Sequence, residues 1–168
     1  MYFSKPQRSL INKVFSQAEG LVGGYYRMSP KQMKAHSYDV KTLASLEKHE
    51  VSENAFAHLC RYEKAGPEGG STGAEFYRIC LQDNRILDAV ERGTPFIQFP
   101  PLMTYIAVHE LIHVVRFSSG DTDFDLSLEE REVEEDKVHR ITRNVLGGIS
   151  LPGFGLVLEC FSNRYKIN

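Results

Sequence analysis

The stretch Pro100-Pro101-Leu102-Met103-Thr104-Tyr105-Ile106-Ala107-Val108-His109-Glu110-Leu111-Ile112-His113-Val114-Val115-Arg116-Phe117 decides how this chain is read. Two prolines open it, where a helix does not need their missing N–H groups. No glycine or later proline interrupts it. Ile106, Val108, Leu111, Ile112, Val114 and Val115 leave most of its circumference apolar. The spacing predicts a helix over Leu102 to Phe117 that is buried nearly all round. His109 and His113 stand four apart, so their imidazoles lie one above the other on one face. Both can reach one metal ion. Glu110, beside them, can face that ion's water instead of the ion.

The segment that follows supplies a partner. SSGDTDFD, residues 118–125, reads as a loop, and Asp123 or Ser127 as the cap of a charged helix over 128–146, LEEREVEEDKVHRITRNVL. Gly147-Gly148 ends it. Glu129 and Glu130 suit a helix start, where acids meet the positive end of the dipole. The acids continue to Asp136 while the apolar stripe has already begun. A catalytic zinc takes three protein ligands and keeps a position open for water. The residues just after His113 do not provide the third, since position 116 is Arg and position 119 is Ser. The acidic helix does. Glu132, Glu135, Asp136 and His139 share one face by their spacing, and Glu134 lines up with Val138 and Ile141. Glu135 is the first choice of third ligand and His139 the next. The candidate metal set is therefore His109, His113, Glu135 and His139, with Zn²⁺ as the ion.

His109-Glu110-Leu111-Ile112-His113 is an HExxH, the arrangement of zinc metallopeptidases whose Glu is the general base. Glu135-Asp136-Lys137-Val138-His139 resembles the second ligand motif of the gluzincins, a Glu followed at +3 by a small or apolar residue and at +4 by Asp or Asn. The sequence from about 96 to 146 thus resembles a small gluzincin-type zinc metallopeptidase, in the style of the ImmA/IrrE-like group. The departure is His139 at the +4 position. In that pattern the acid supports the first histidine from behind, and an imidazole does not bring the same fixed negative charge. The resemblance implies an α+β, mostly helical, minimal zincin-like fold. In it, a small edge sheet accompanies an HExxH helix packed on a second metal-ligand helix. It implies a zinc-dependent hydrolase cleaving a peptide bond in a peptide or protein substrate, with Glu110 as catalytic base. The strand expected to border the cleft and align the substrate is Thr94 to Phe99, TPFIQF.

Outward from this core the chain reads as one domain over 1–168: a mainly helical part to 93, the metal-site core over 94–146 and a tail over 147–168. The first 28 residues hold an amphipathic helix with Leu10, Val14, Phe15 and Ala18 on one side, ended by Gly20 or Gly23-Gly24. Ser29-Pro30 caps another helical stretch running toward Ala65, with a break near Val51-Ser52. GPEGGSTG, 66–73, is a loop, and Phe76, Ile79, Cys80, Leu87 and Val90 give 74–92 a helical period, stopped by Gly93. The tail holds a short strand or a final helix.

The 168 residues carry 20 Lys+Arg against 22 Asp+Glu, a net charge of -2, which excludes nucleic-acid binding by bulk positive charge. Cys60, Cys80 and Cys160 are an odd number with no close pair, against both a disulfide framework and a thiolate zinc site. The N-terminus has no long apolar core of a signal peptide and no run long enough for a bilayer, so cytoplasm is expected and no membrane partner. Arg116 reads either as a substrate or oxyanion contact or as an ion pair with an acid of the second helix. Tyr105 reads as packing. Tyr25, Tyr26, Tyr165 and His139 are candidates for an electrophile near the scissile carbonyl. Asp121, Asp123 and Asp125 lack the glycine and final Glu of a calcium loop. Leu151-Pro152-Gly153-Phe154 reads as a turn or as a border of the cleft. Two other readings stand beside the hydrolase: a catalytically inactive metal-binding regulatory or structural protein, and a helical interaction domain with a fortuitous HExxH.

Overall fold

Residues 1–149 and 153–162 are described by a computed structural model. The fold is α+β and mostly helical, with one three-stranded mixed sheet. Helix α1, Lys5–Tyr25, starts at a reciprocal cap: Ser4 Oγ accepts from the Gln7 N–H (3.3 Å) and Gln7 Oε1 from the Ser4 N–H (2.8 Å). It runs through Gly20 and Gly23-Gly24 rather than ending there, and buries Ile11, Val14, Phe15, Ala18 and Val22. Helix α2 is only Pro30–Lys34, with Ser29 as its cap.

The expected helices over 35–65 and 74–81 are instead the sheet. Strand β1 is Tyr38–Lys41, β2 is Ala57–Ala65 and β3 is Ser71–Leu81. The order is β1-β3-β2, with β1 parallel and β2 antiparallel to the central β3. The part to residue 93 is therefore not mainly helical. Two single turns of 3-10 helix, Leu43–Ser45 and Lys48–Glu50, lie between β1 and β2. The turn over 66–70 joins β2 to β3, with Gly69 at φ 78°. One face of β3 sends Tyr77, Ile79 and Leu81 into the core. The other carries Arg78, whose Nε and Nη2 donate to Asp39 at 3.0 Å each and whose Nη1 donates to the buried Glu50 at 3.1 Å. Tyr62 donates to the same Glu50 carboxylate.

Helix α3, Asp83–Gly93, follows β3 directly. Asp83, buried at its start, accepts from the N–H groups of Phe3 and Leu43, both at 2.9 Å, and so fastens the N-terminus and the β1–β2 connection to it. The expected strand Thr94 to Phe99 is a turn with a cis Thr94–Pro95 bond, and Phe99 already belongs to the next helix. Ile97 folds back so closely that a Cβ on Gly93 would lie 2.5 Å from it, which makes glycine obligatory there.

Helix α4, Phe99–Ser119, is the central element, buried continuously from Pro101 to Arg116. Gly120, at φ 80°, ends it in a left-handed turn with Gly120 N–H to Phe117 O and Asp121 N–H to Arg116 O. Helix α5, Leu128–Leu146, begins at the Ser127–Glu130 reciprocal cap and buries Glu134, Val138, His139, Thr142 and Leu146. Helix α6, Phe154–Ser162, makes the tail helical. One hydrophobic cluster joins α1, β3, α3, α4, α5 and α6, so the sheet packs on one side of α4 and α5 on another. Among the described residues no helix is long and apolar enough to cross a membrane.

Candidate metal centre

Two helices each contribute a pair of donors four residues apart. On α4 the pair is His109 and His113, whose Nε2 atoms are 3.2 Å apart. On α5 it is Glu135 and His139, with His139 Nε2 3.5 Å from Glu135 Oε2. The Glu135 carboxylate bridges the helices, with Oε1 2.9 Å from His113 Nε2 and Oε2 3.2 Å from His109 Nε2. The imidazoles of His109 and His139 lie 4.3 Å apart by centroid. Donor atoms of His109, Glu135 and His139 all fall within 4.8 Å of one another.

These spacings fit a metal. Two donors about 2.0–2.2 Å from a tetrahedral zinc stand about 3.3–3.6 Å from each other, near the 3.2 Å of His109–His113 and of His109–Glu135 and longer than the 2.9 Å of His113–Glu135. Imidazole nitrogen with carboxylate oxygen is also a borderline donor set that suits zinc. His109, His113 and Glu135 would hold the ion, and His139 stands beside them. The Nδ1 atoms of His109 and His113 are buried without a hydrogen-bond partner among the described residues. They lack the acceptor that usually orients a ligating imidazole. His139 differs, because the Tyr105 hydroxyl is hydrogen-bonded to its Nδ1. Tyr105 is thus more than packing, though its ring also stacks with those of His109 and His139.

The charges follow from burial and neighbours. Burial opposes ionisation of Glu135, but the two imidazoles beside it outweigh that and hold its pKa below the carboxylate range. Burial likewise works against a charged His113, and the Glu135 contact overrides it, raising the pKa. Burial, reinforced by His109, lowers His139 to about 2, so it is a neutral imidazole able to donate a lone pair. Burial raises the pKa of Glu110, with His109 and His113 partly offsetting it. Glu110 Oε1 lies 4.0 Å from His109 Nε2, close to the donor atoms but outside coordination distance.

The other acids of α5 are not donors here. Glu134 is buried in a two-point ion pair with Arg116, at 2.5 Å from Nε and 2.9 Å from Nη2. This is the ion-pair reading of Arg116, and it leaves that guanidinium no role as a free substrate contact. Glu132 and Asp136 are exposed. Tyr25 and Tyr26 pair edge-on at the end of α1, with Tyr26 beside Arg116 rather than at the imidazoles. Leu151, Pro152 and Tyr165 lie outside the described residues.

A cleft of about 370 Å³ opens beside Glu110, His113 and Glu135. Ala57, His58 and Leu59 of β2 line it together with Phe117, Phe124 and Leu126. The bordering strand is therefore β2, whose outer edge is unpaired among the described residues, and not the segment after Gly93. Arg61 ties the Phe124 loop to this strand: its Nη2 is 3.2 Å from Asp125 and its guanidinium lies 4.8 Å over the Phe124 ring. Sequence reasoning missed these cleft residues because it read β2 as helix, and no local motif marks them. Glu135 is the open side of the site, with its side chain 46% exposed, against 12% or less for His109, Glu110, His113 and His139. No family model, curated protein or solved structure matches the chain, so the chemistry of the site rests on its own residues.

Proposed function

We propose that the chain is a zinc-dependent hydrolase of small zincin-like design, acting on peptide bonds. The observation that carries this reading is the convergence of Glu135 on both imidazoles of the HExxH, 2.9 and 3.2 Å away, with Glu110 at the rim of the same cleft. When bound, zinc supplies Lewis-acid polarisation of a carbonyl and acidification of a water. Glu110 takes the proton of the attacking water on a carboxylate oxygen and returns it to the leaving amine. Its burial, which raises its affinity for a proton, suits that two-way transfer. The unpaired edge of β2 at Ala57–Leu59 offers backbone groups to an extended substrate. Phe117, Phe124 and Leu126 add apolar lining to the same cleft.

A second reading, a metal-binding regulatory or structural protein without turnover, is favoured by one observation: the donor atoms that lie within 4.8 Å of one another are those of His109, Glu135 and His139, a group that does not include His113. The zinc-loaded chain and its Glu110→Gln variant, assayed on a mixture of unstructured peptides with zinc content measured in parallel, separate the two. The hydrolase reading expects cleavage by the first, none by the second and equal zinc in both. Zinc in both with cleavage in neither supports the second reading.

A further inference from the structure

We infer that His139 is a metal donor together with Glu135, and that Tyr105 is the positioning residue that makes it one. The inference rests on the metal centre proposed above and goes beyond it by making His139 a ligand, which is the arrangement of the second reading and not of a site that keeps a position open for water. Its basis is the repeated geometry of the two helices. An interval of four residues stacks side chains on one face, and both α4 and α5 use it at the site, His109 with His113 and Glu135 with His139, with the donor atoms of His109, Glu135 and His139 within 4.8 Å of one another. His139 Nε2 stands 3.5 Å from Glu135 Oε2, near the separation of neighbouring ligands on one ion.

Tyr105 occupies one of the two ring nitrogens of His139 and leaves Nε2 facing Glu135. A histidine has two ring nitrogens, and the partner of one decides what the other can do. Tyr105 lies one turn before His109 on α4, is 1% exposed, and its hydroxyl holds His139 Nδ1. A metal on Nε2 requires the proton on Nδ1, and the Tyr105 oxygen is placed to accept it. Among the described residues this is the one imidazole of the three with such a partner, since Nδ1 of His109 and of His113 has none. In the metal-bound form Tyr105 would orient His139 from behind as a carboxylate or carbonyl orients an ordinary ligand histidine.

The test uses the full chain, stripped of metal by chelator and titrated with cobalt(II), then with zinc in competition with a chromophoric chelator. Tyr105→Phe is expected to weaken metal affinity about 10–100-fold while the metal-free melting temperature moves little. His139→Asn is expected to shift the cobalt ligand-field bands. A purely structural Tyr105 would do the reverse, lowering the metal-free melting temperature and leaving affinity alone. The unmodified chain gives an independent readout that does not depend on a variant folding. Imidazole ¹⁵N NMR of the zinc form is expected to show three of the 6 histidines with metal-bound Nε2. Two bound imidazoles, or an affinity of Tyr105→Phe within about twofold of the parent, would overturn this inference alone. A chain that takes up neither cobalt nor zinc would overturn the metal centre itself, and the inference with it.

Discussion

Removing one partner of the Arg116–Glu134 pair should cost far more than removing both. The pair joins α4 to α5 within one helical turn of His113 and immediately before Glu135, at 2.5 and 2.9 Å, with side chains only 10% and 9% exposed. Breaking such a pair leaves the surviving charge buried without compensation, which costs about 3–5 kcal/mol. In a domain whose whole stability is about 5–15 kcal/mol, that is a large fraction, and it lowers the melting temperature by roughly 6–20 °C. Arg116→Met and Glu134→Leu are each expected to fall in this range. The double variant, which replaces the pair by apolar side chains, is expected near the parent, because the desolvation cost of both charges disappears with their attraction. Urea unfolding of the metal-free proteins, read as midpoint and slope, measures all four corners of the cycle. Single variants costing under about 1 kcal/mol, the range of a solvated surface pair, would refute the reasoning. So would two costs that simply add in the double variant.

Further expectations concern Glu110, the helix cap and the loop tether. Burial raises the pKa of Glu110, so the folded chain binds that proton more tightly than the unfolded one, and stability falls as pH rises from the ordinary value of 4.5 through the folded pKa. Glu110→Gln should therefore raise the melting temperature of the metal-free protein, more at pH 8 than at pH 5, by differential scanning fluorimetry. An equal or reversed effect would contradict the assigned cause. Ser127→Ala should cost about 1 kcal/mol in urea unfolding by removing the cap of α5. Asp125→Asn should cost less than about 1 kcal/mol, because that carboxylate is 83% exposed beside Arg61.

The two helices of the site were legible because their signals are local. Prolines and an unbroken apolar run mark α4, and Ser127 with Glu130 marks the start of α5. The convergence of Glu135 on His109 and His113 follows once the two helices pack. The sheet was not legible, for a physical reason. Phe76, Ile79 and Cys80 have helical spacing, and residues 72–75 of β3 are exposed, so the alternation at its inner end, with Tyr77 and Ile79 inward and Arg78 outward, is too short to mark a strand. In β2, Ala57, Arg61, Glu63, Lys64 and Ala65 favour helix locally, and pairing with β3 overrides that preference. The segment after Gly93 has strand-like composition, but Ile97 packs back on Gly93 and Gln98 already caps α4. The role of Tyr105 was hidden for a third reason: its partner His139 is 34 positions away on another helix.

Zinc stoichiometry tests the central claim most directly. The full chain is loaded with zinc, dialysed against metal-free buffer and analysed by inductively coupled plasma mass spectrometry beside its His113→Ala and Glu135→Ala variants. The account predicts one zinc per chain in the parent, little in either variant, and a gain of about 2.7 kcal/mol in parent stability at a hundredfold excess over the dissociation constant. A parent that retains no zinc and gains no stability from it would contradict the account.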